Sequence, residues 1–423
     1  MADRTIKNPH KLLRAEVQVP GDKSLSHRAL LLAAIAEGDS VVTGLGPGAD
    51  VQSTVTALGQ LGVTITDGKI RSPGIANWST PDAPIDCGNS GTTMRLLAGV
   101  LSTSSVQATL VGDASLAGRP MHRLVEPLRV LGGRIETSPE GTAPLAVGGV
   151  NDARGGSVTI EVASAQVRSA FELAALNVSG PSTIDSPAGF RDHTERWLNA
   201  AGRGEWTSAT AFTVRPGPIA PARYDIPGDP SSAAFLWALA AVQPGAEVLT
   251  PTISLNAGRL GFLQILEKMG AEVEAVVTGD VGGDPIGNVV VRGRSLAAVD
   301  ISGDLLASAL DEIPLVAVVG VFAEGITRVS DASELRVKES DRIASTAAMI
   351  RALGGGIETT DDGFEVVGTG FLEGGVVETD RDHRIAMAAA VAALTADGPV
   401  TIRDADVAAV SWPGFYETLA MLW

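Results

Sequence analysis

The stretch VPGDKSLSHRALLLAAIAEG, residues 19–38, opens with polar and charged residues and continues as an apolar helix. Lys23, Ser24 and Arg28 fall in its first turns, although a single capping residue is enough to begin a helix. The stretch IPGDPSSAAFLWALAAVQPG, residues 226–245, has the same skeleton without the basic residues. We interpret the second copy as structural and the first as part of a binding site.

The same kind of helix opening recurs along the chain. Each recurrence ends at a glycine and leads into a β-branched run that predicts a strand. A second amphipathic helix then closes on a shared phrase, as in LGQLGVTI and IRALGGGIE. The further openings are GNSGTTMRLLAGVLS (88–102), SAQVRSAFELAALNVSG (164–180), LASALDEIPLVAVVGVFAEG (306–325) and DHRIAMAAAVAALTADG (382–398).

These repeats predict an α/β (α+β) protein made of six units of the form strand, helix, strand, helix, strand, strand. Three units in each of two domains would place the apolar helices inside and the sheets outside. The duplicated PGD phrases, at Pro20 and Pro227, mark the two crossings between domains. We therefore predict a discontinuous domain of residues 1–19 and 228–423, an inserted domain of residues 20–227, and an active site in the cleft between them.

The composition indicates a soluble globular protein that is large enough for two domains. Its 423 residues are 45% apolar, and 49 Gly with 23 Pro predict many tight turns. The single cysteine, Cys87, excludes an internal disulfide framework and fits a reducing compartment. The sequence has no signal-peptide pattern and no apolar run long enough to span a bilayer, so we expect a cytoplasmic protein.

The net charge of −17 argues against nucleic acid or an anionic membrane as a partner. The cations are nevertheless clustered, because four of the five histidines lie within three residues of an arginine. Such basic segments in an acidic protein predict one pocket for an anion, and scattered surface ion pairs are the alternative. The four histidines are His27, His122, His193 and His383.

Helix N-termini strengthen this prediction, because their unpaired N–H groups favour anions. A cap without a ligand is the alternative for a short glycine-rich turn such as GNSGT. We expect binding groups at three openings: Lys23, Ser24 and Arg28; Asn89, Gly91 and Thr92; and Ser164, Ala165 and Gln166.

The segment ELRVKESDR, residues 334–342, is the most densely charged in the chain. As a helix it would place Lys338 and Arg342 on one face with Glu339 beside them, within reach of one substrate. A solvated helix face with ion pairs is the alternative. Asp311, an acid that enters an apolar helix, is either a cap or a general base at the cleft.

Together these motifs resemble the 5-enolpyruvylshikimate-3-phosphate synthase family of the shikimate pathway. The motifs that carry the resemblance, over nearly the whole chain, are PGDKSLSHR, GNSGTTMR, GRPM, SAQVRS, RDHTE, ELRVKESDR and DHRIAM. The resemblance implies the enolpyruvyl transferase fold, with two domains of three βαβαββ units that close like a clamp. It also implies a reaction in which phosphoenolpyruvate and shikimate 3-phosphate give the 5-enolpyruvyl ether and inorganic phosphate.

The resemblance assigns roles to individual residues. It implies Asp311 as base and Glu339 as acid, with Lys23 sharing proton transfer. Shikimate 3-phosphate would contact Lys23, Ser24, Arg28, Ser164, Ala165, Gln166, Arg191, Asp311 and Lys338. Phosphoenolpyruvate would contact Lys23, Asn89, Gly91, Thr92, Arg119, Gln166, Arg342, His383 and Arg384. We expect no metal and no cofactor, because the cations supply the electrostatic stabilisation, and we expect a monomer.

Some positions depart from the family's pattern. Ala165 stands where many members have a second serine, and Val410 stands where many have a lysine. RDHTE and SAQ fit one subgroup, whereas Gly91 and NAGR (256–259) do not. Two alternatives stay open: a non-catalytic anion-binding repeat scaffold, and a UDP-N-acetylglucosamine enolpyruvyl transferase. Most of the latter carry a reactive cysteine in the loop that here reads GDASLAGRP, and we expect Cys87 to be buried and inert.

Overall fold

The structure is a computed structural model that describes residues 2–422. These residues form two compact units. The terminal unit consists of the described residues up to Pro20, Gly228–Gly279 and the chain from Pro285 onward. The inserted unit consists of Gly21–Pro227 and the short segment Asp280–Asp284.

Helices and strands alternate along the described chain. The α-helices are α1 (Lys23–Ile35), α2 (Ala49–Gln60), α3 (Gly91–Ser102), α4 (Ala114–Ala117), α5 (Val125–Val130), α6 (Ala165–Ala174), α7 (His193–Ala200), α8 (Pro230–Ala241), α9 (Gly261–Met269), α10 (Gly303–Ala309), α11 (Ile313–Val321), α12 (Arg342–Ala352), α13 (His383–Ala393) and α14 (Phe415–Ala420). The strands are β1 (Arg4–Ile6), β2 (Arg14–Glu16), β3 (Glu37–Thr43), β4 (Thr64–Thr66), β5 (Lys69–Pro73), β6 (Ile85–Asp86), β7 (Gln107–Val111), β8 (Ile135–Glu136), β9 (Leu145–Gly148), β10 (Ser157–Thr159), β11 (Ser182–Asp185), β12 (Gly204–Trp206), β13 (Phe212–Val214), β14 (Arg223–Asp225), β15 (Glu247–Ser254), β16 (Glu272–Val281), β17 (Asp284–Arg292), β18 (Leu296–Ala297), β19 (Asp300–Ile301), β20 (Ala323–Glu324), β21 (Ile326–Val329), β22 (Gly356–Thr359), β23 (Phe364–Val367), β24 (Gly375–Val377) and β25 (Val400–Ile402).

One strand order recurs in the sheets. Within residues 2–422, five sheets begin with a parallel pair at one edge, and a third strand then pairs antiparallel with the second. A sixth sheet, β1-β25-β24, has three strands, and the short pair β18-β20 lies outside the pattern. The five orders are β14-β3-β5-β4, β6-β7-β9-β8, β10-β11-β13-β12, β2-β15-β17-β16 and β19-β21-β23-β22. Parallel strands need a crossover connection, and helices alternate with the strands along the chain to supply it. The predicted six-fold repeat of βαβαββ units is confirmed.

At each PGD phrase the chain leaves a strand of one unit and begins a helix of the other. β2 precedes the first phrase and pairs with β15, and β14 precedes the second and pairs with β3. In the inserted unit the N–H of Asp22 donates to the carbonyl of Pro227 at 2.8 Å. In the terminal unit the N–H of Asp229 donates to the carbonyl of Pro20 at 2.9 Å. Each unit thus completes one repeat with a strand from a distant part of the chain.

Apolar helices fill the core of each unit. α8, α11 and α13 of the terminal unit are buried on every side, as expected for helices that lack a polar face. α1, α3 and α6 are almost as buried in the inserted unit. The strands alternate instead, as β21 does, so one face of the sheet meets solvent. Within each unit the predicted layering is confirmed. In the described part of the chain, no helix combines the length and apolar character that crossing a membrane requires.

Candidate active site

The predicted site residues gather at helix N-termini in each unit. In the inserted unit α1 begins at Lys23, α3 at Gly91 and α6 at Ala165, and in the terminal unit α13 begins at His383. Partial positive charge at these ends favours an anion nearby. The N-cap side chains that accept hydrogen bonds from first-turn N–H groups are Asp22, Ser90, Ser164 and Asp382.

Lys23 and His27 lie about one turn apart on α1. Nζ of Lys23 donates to Oδ2 of Asp50 at 3.0 Å, and the lysine side chain is 32% exposed. His27 is fully buried, with Nδ1 2.7 Å from Oγ1 of Thr54. Burial lowers the pKa of His27 from 6.5 to about 3, although Asp50 opposes the shift. A neutral His27 adds no third positive charge to those of Lys23 and Arg28.

Arg28 is buried in the inserted unit, with 4% of the residue exposed. Its Nε donates to Oγ1 of Thr194 and its Nη2 to Oγ of Ser169, both at 2.7 Å. Nη1 donates to the carbonyl of Ser24 at 3.0 Å, so all three recorded acceptors are neutral. Burial lowers the pKa of Arg28, and carboxylates that do not hydrogen-bond to it, Glu195 foremost, oppose that shift. Neutral acceptors leave the charge of Arg28 available to an anion.

Polar contacts join the loop before α3 to Arg119 and join the first turn of α3 to the start of α6. Nη2 of Arg119 donates to Oδ1 of Asn89 at 2.7 Å. Nε2 of Gln166 donates to Oγ1 of Thr92 at 3.0 Å, and Nη1 of Arg95 donates to Oε1 of Gln166. The structure therefore pairs Asn89 with Arg119 and Thr92 with Gln166, as two contacts among the predicted residues.

The other predicted residues of the inserted unit lie at helix starts. A Cβ atom at Gly91 would lie 3.1 Å from Nη1 of Arg95, which would have to shift slightly, and at an ordinary contact distance of 3.5 Å from Nη1 of Arg119. Ser164 caps α6, of which Ala165 is the first residue. Arg191 immediately precedes the N-cap residue of α7.

Arg342 is the centre of a charged cluster in the terminal unit. Its Nε lies 2.8 Å from Oδ2 of Asp382, its Nη2 2.7 Å from Oε2 of Glu339, and its Nη1 3.4 Å from Oδ1 of Asp311. The Arg342 side chain is 2% exposed, whereas those of Glu339 and Asp311 are each 25% exposed. Burial opposes the charge on Arg342, but the three carboxylates outweigh it and raise its pKa. The predicted base, Asp311, and the predicted acid, Glu339, therefore share one buried cation.

The prediction of one helix across ELRVKESDR is wrong. A 3-10 helix covers Ser333–Val337, Lys338 is extended, and α12 begins only at Arg342. The carboxylate of Asp341 accepts hydrogen bonds from two N–H groups in the first turn of α12, which fixes that start. Because the helix is interrupted, Lys338 and Arg342 do not share a helix face. Nζ of Lys338 lies 3.1 Å from Oε1 of Glu334.

In the terminal unit, Arg384 contacts the 3-10 helix that contains Asp311. Asp311 is in the 3-10 helix Leu310–Glu312, which separates α10 from α11, rather than inside one apolar helix. Nη1 of Arg384 lies 3.5 Å from the carbonyl oxygen of Ser231 and 3.7 Å from Oε1 of Glu312. The first turn of α13 is thereby tied to both α8 and this 3-10 helix.

Comparison with known proteins supplies the family. Residues 7–419 match the family model described as EPSP synthase (3-phosphoshikimate 1-carboxyvinyltransferase), where EPSP is 5-enolpyruvylshikimate 3-phosphate. The chain belongs to the EPSP synthase family. The 3-phosphoshikimate 1-carboxyvinyltransferase of Chloroflexus aurantiacus is 45% identical, over 97% of this chain and 97% of that relative. The Halorhodospira halophila enzyme of the same name is 42% identical, over 98% of this chain and 95% of that relative.

Solved structures agree with this assignment. An EPSP synthase from Acinetobacter baumannii matches with a TM-score of 0.89 and 36% identity, over 99% of this chain and 98% of that chain. The enolpyruvyl transferase NikO from Streptomyces tendae matches with a TM-score of 0.76 at 16% identity, over 99% of this chain and 96% of that chain, which indicates a shared fold. The predicted enolpyruvyl transferase fold is confirmed.

Membership of the EPSP synthase family favours the main interpretation over both alternatives. The loop GDASLAGRP, which includes α4, contains no cysteine. Cys87 is fully buried, as predicted, and burial raises the pKa of its thiol to about 12, which disfavours the reactive thiolate.

Charged side chains that contact the predicted residues, and that the motifs did not single out, include Asp50, Arg95, Glu312 and Asp382. Arg95 closes the motif GNSGTTMR and Asp382 opens DHRIAM, so position within an EPSP synthase motif was a usable signal for both. Asp50 and Glu312 give no such signal, because their contacts depend on how separate segments pack.

Proposed function

We propose that the chain transfers the enolpyruvyl group of phosphoenolpyruvate to the 5-hydroxyl of shikimate 3-phosphate and releases inorganic phosphate. The observation that carries this proposal is the match to EPSP synthases along nearly the whole chain. The grouping of Asp311 and Glu339 on Arg342 supports it, because the reaction needs one proton acceptor and one proton donor near an anion-binding cation. The reaction is a step of the shikimate pathway of aromatic amino-acid biosynthesis.

The cations suit two substrates that each carry a carboxylate and a phosphate, since charged donors bind such groups most strongly. Arg28 contributes a charge that neutral oxygens hold in place, and the Asn89 amide holds Arg119 in the same way. The residues assigned to shikimate 3-phosphate are Lys23, Ser24, Arg28, Ser164, Ala165, Gln166, Arg191, Asp311 and Lys338. The residues assigned to phosphoenolpyruvate are Lys23, Asn89, Gly91, Thr92, Arg119, Gln166, Arg342, His383 and Arg384.

The reaction proceeds by addition and then elimination. In the addition, Asp311 accepts the proton of the 5-hydroxyl, the hydroxyl oxygen bonds to C2 of phosphoenolpyruvate, and Glu339 donates a proton to C3. A substrate anion at Arg342 competes with Glu339 for the guanidinium. In the elimination the two roles reverse: Glu339 takes a proton back from C3, the bond from C2 to the phosphate oxygen breaks, and the double bond between C2 and C3 forms again. Asp311 returns its proton to the departing phosphate. Lys23 shares in the proton transfers.

A phosphate-release assay with two acceptors tests this function. The chain should release phosphate from phosphoenolpyruvate in the presence of shikimate 3-phosphate and should release none with UDP-N-acetylglucosamine. Release with the UDP-sugar alone, or none with shikimate 3-phosphate, would contradict the proposal. The sequence-based predictions of a cleft between domains, of a monomer and of a cytoplasmic location stay predictions.

A further inference from the structure

Two buried hydroxyl groups outside the assigned residues bind Arg28. Ser169 lies on α6 and Thr194 on α7, and both are fully buried. Their hydroxyl oxygens lie 2.7 Å apart, and each is 2.7 Å from a nitrogen of Arg28. The three side chains therefore form a closed ring of hydrogen-bonding atoms that joins α1, α6 and α7.

The two hydroxyls determine which N–H groups of Arg28 a ligand can use. A guanidinium has five N–H donors. The bonds to Thr194, Ser169 and the carbonyl of Ser24 use one donor each on Nε, Nη2 and Nη1. The other two donors belong to Nη1 and Nη2, a pair that can bind a carboxylate or phosphate with two parallel hydrogen bonds.

A neighbouring ion pair fixes the helices that carry the hydroxyls. Arg168 precedes Ser169 and Glu195 follows Thr194. Nε of Arg168 lies 2.6 Å from Oε1 of Glu195, with both side chains buried, and the Arg168 guanidinium stacks 3.9 Å from the ring centre of Phe190. This second link between α6 and α7 holds the hydroxyls in place beside Arg28.

We propose that Ser169 and Thr194 are positioning residues for the binding of shikimate 3-phosphate. By accepting hydrogen bonds from Nε and Nη2, they direct the remaining donors of Arg28 toward an anionic group of that substrate. Hydroxyls do this without neutralising the guanidinium, whereas a carboxylate in their place would compete with the substrate anion. The inference rests on the proposed function, because it takes Arg28 as a contact of shikimate 3-phosphate.

The test combines the variant Ser169→Ala/Thr194→Val with steady-state kinetics. We expect KM for shikimate 3-phosphate to rise about tenfold or more, with kcat and KM for phosphoenolpyruvate within about threefold of wild type. The single variant Thr194→Ser keeps both hydroxyls and should have a KM for shikimate 3-phosphate close to that of wild type. The matched control is Thr103→Val, which removes a buried hydroxyl that donates to the carbonyl of Ala174 and contacts no cation, and it should leave KM unchanged.

A double-mutant cycle with Arg28→Ala separates positioning from a structural role. In that background the loss of both hydroxyls should raise KM for shikimate 3-phosphate no further. An equal rise with and without Arg28, an unchanged KM, or a loss confined to kcat would overturn the inference. If the double variant does not fold, the same KM criteria apply to Ser169→Ala and Thr194→Val alone. A wild type that is inactive with both substrates would refute the proposed function and the inference with it, whereas an active wild type with unaffected variants would refute the inference alone.

Discussion

Oε2 of Glu339 lies 2.7 Å from Nη2 of Arg342. Arg342 is the first residue of α12 and Glu339 precedes that helix, so the contact is not made within one helix turn. Glu339 is therefore an ion-pair partner of a buried cation, with its own side chain still 25% exposed. A substrate anion at Arg342 would compete with this carboxylate for the guanidinium.

Glu339→Gln should separate proton transfer from binding. The amide can still accept a hydrogen bond from Arg342, but it cannot deliver a proton, so kcat should fall by about 10²-fold or more while KM changes little. Steady-state kinetics with both substrates measures this effect. Glu358→Gln is the matched control, because the Glu358 side chain is 90% exposed and should tolerate the change. A kcat within twofold of wild type would remove Glu339 from the proton-transfer steps.

Lys23→Met should leave the chain folded and nearly inactive. Lys23 begins the PGD helix that carries charge, and removing a cation from a site for anionic substrates should lower kcat/KM by about 10²-fold or more. Pro230 occupies the corresponding first position of α8, so Pro230→Ala serves as the control and should keep most of the activity. Thermal denaturation should give a similar Tm for both variants. Comparable losses of activity in the two would show that the charge on α1 is not what matters.

His27→Gln should remove an acid-dependent loss of stability. Because burial lowers the pKa of His27 from 6.5 to about 3, the unfolded chain binds a proton there between these values and the folded chain does not. The stability linked to the neutral ring is complete above pH 6.5 and declines as the pH falls toward 3. Relative to the variant, the wild type should be about 2 kcal/mol less stable at pH 5 than at pH 7.5.

Thermal denaturation at both pH values measures this difference. His122→Gln at an exposed position is the control, and it should not change the pH dependence. A difference in Tm between wild type and His27→Gln that is the same at pH 5 and pH 7.5 would contradict the account of His27.

Glu195→Gln should destabilise the inserted unit more than Glu172→Gln. Oε1 of Glu195 lies 2.6 Å from Nε of Arg168, whereas Oε1 of Glu172 lies 3.8 Å from Nη2 of the same arginine. Burial and then the charge of Glu195 raise the pKa of Glu172 well above its usual value, so an amide there replaces a group that already tends to be neutral. At position 195 the amide replaces the partner of a buried guanidinium, at a cost of about 3 kcal/mol. Equal falls in Tm for the two variants would show that both glutamates share the charge of Arg168.

The repeat architecture was predictable because its signals are local. An apolar helix that ends at glycine and leads into a β-branched run appears within one short segment of sequence, and the chain shows that pattern repeatedly. The pairing of β2 with β15 and of β14 with β3 was not predicted, because each joins strands that are far apart in the sequence. The helix across ELRVKESDR was predicted wrongly because charge spacing was weighed and the capping preference of Asp341 was not.

The candidate site was predictable as a set of residue types and much less as a set of contacts. Lys23 and Arg28 stood out because one PGD helix has cations and its counterpart has none. Their partners did not stand out, since Thr194 is 166 residues from Arg28 in sequence and reaches it only through the packing of α7. Asp50 likewise reaches Lys23 from the start of another helix, α2. Motif order identifies which chemistry is present, and only the fold determines which side chains touch.

Nuclear magnetic resonance of the products formed from carbon-13-labelled phosphoenolpyruvate tests the central claim most directly. With shikimate 3-phosphate as acceptor, the label at C3 should move into the methylene group of a vinyl ether on the 5-hydroxyl, with one inorganic phosphate for each ether formed. Conversion of the label to pyruvate, or an unchanged phosphoenolpyruvate signal with correctly folded protein, would contradict the assignment of this chain as an enolpyruvyl transferase that acts on shikimate 3-phosphate.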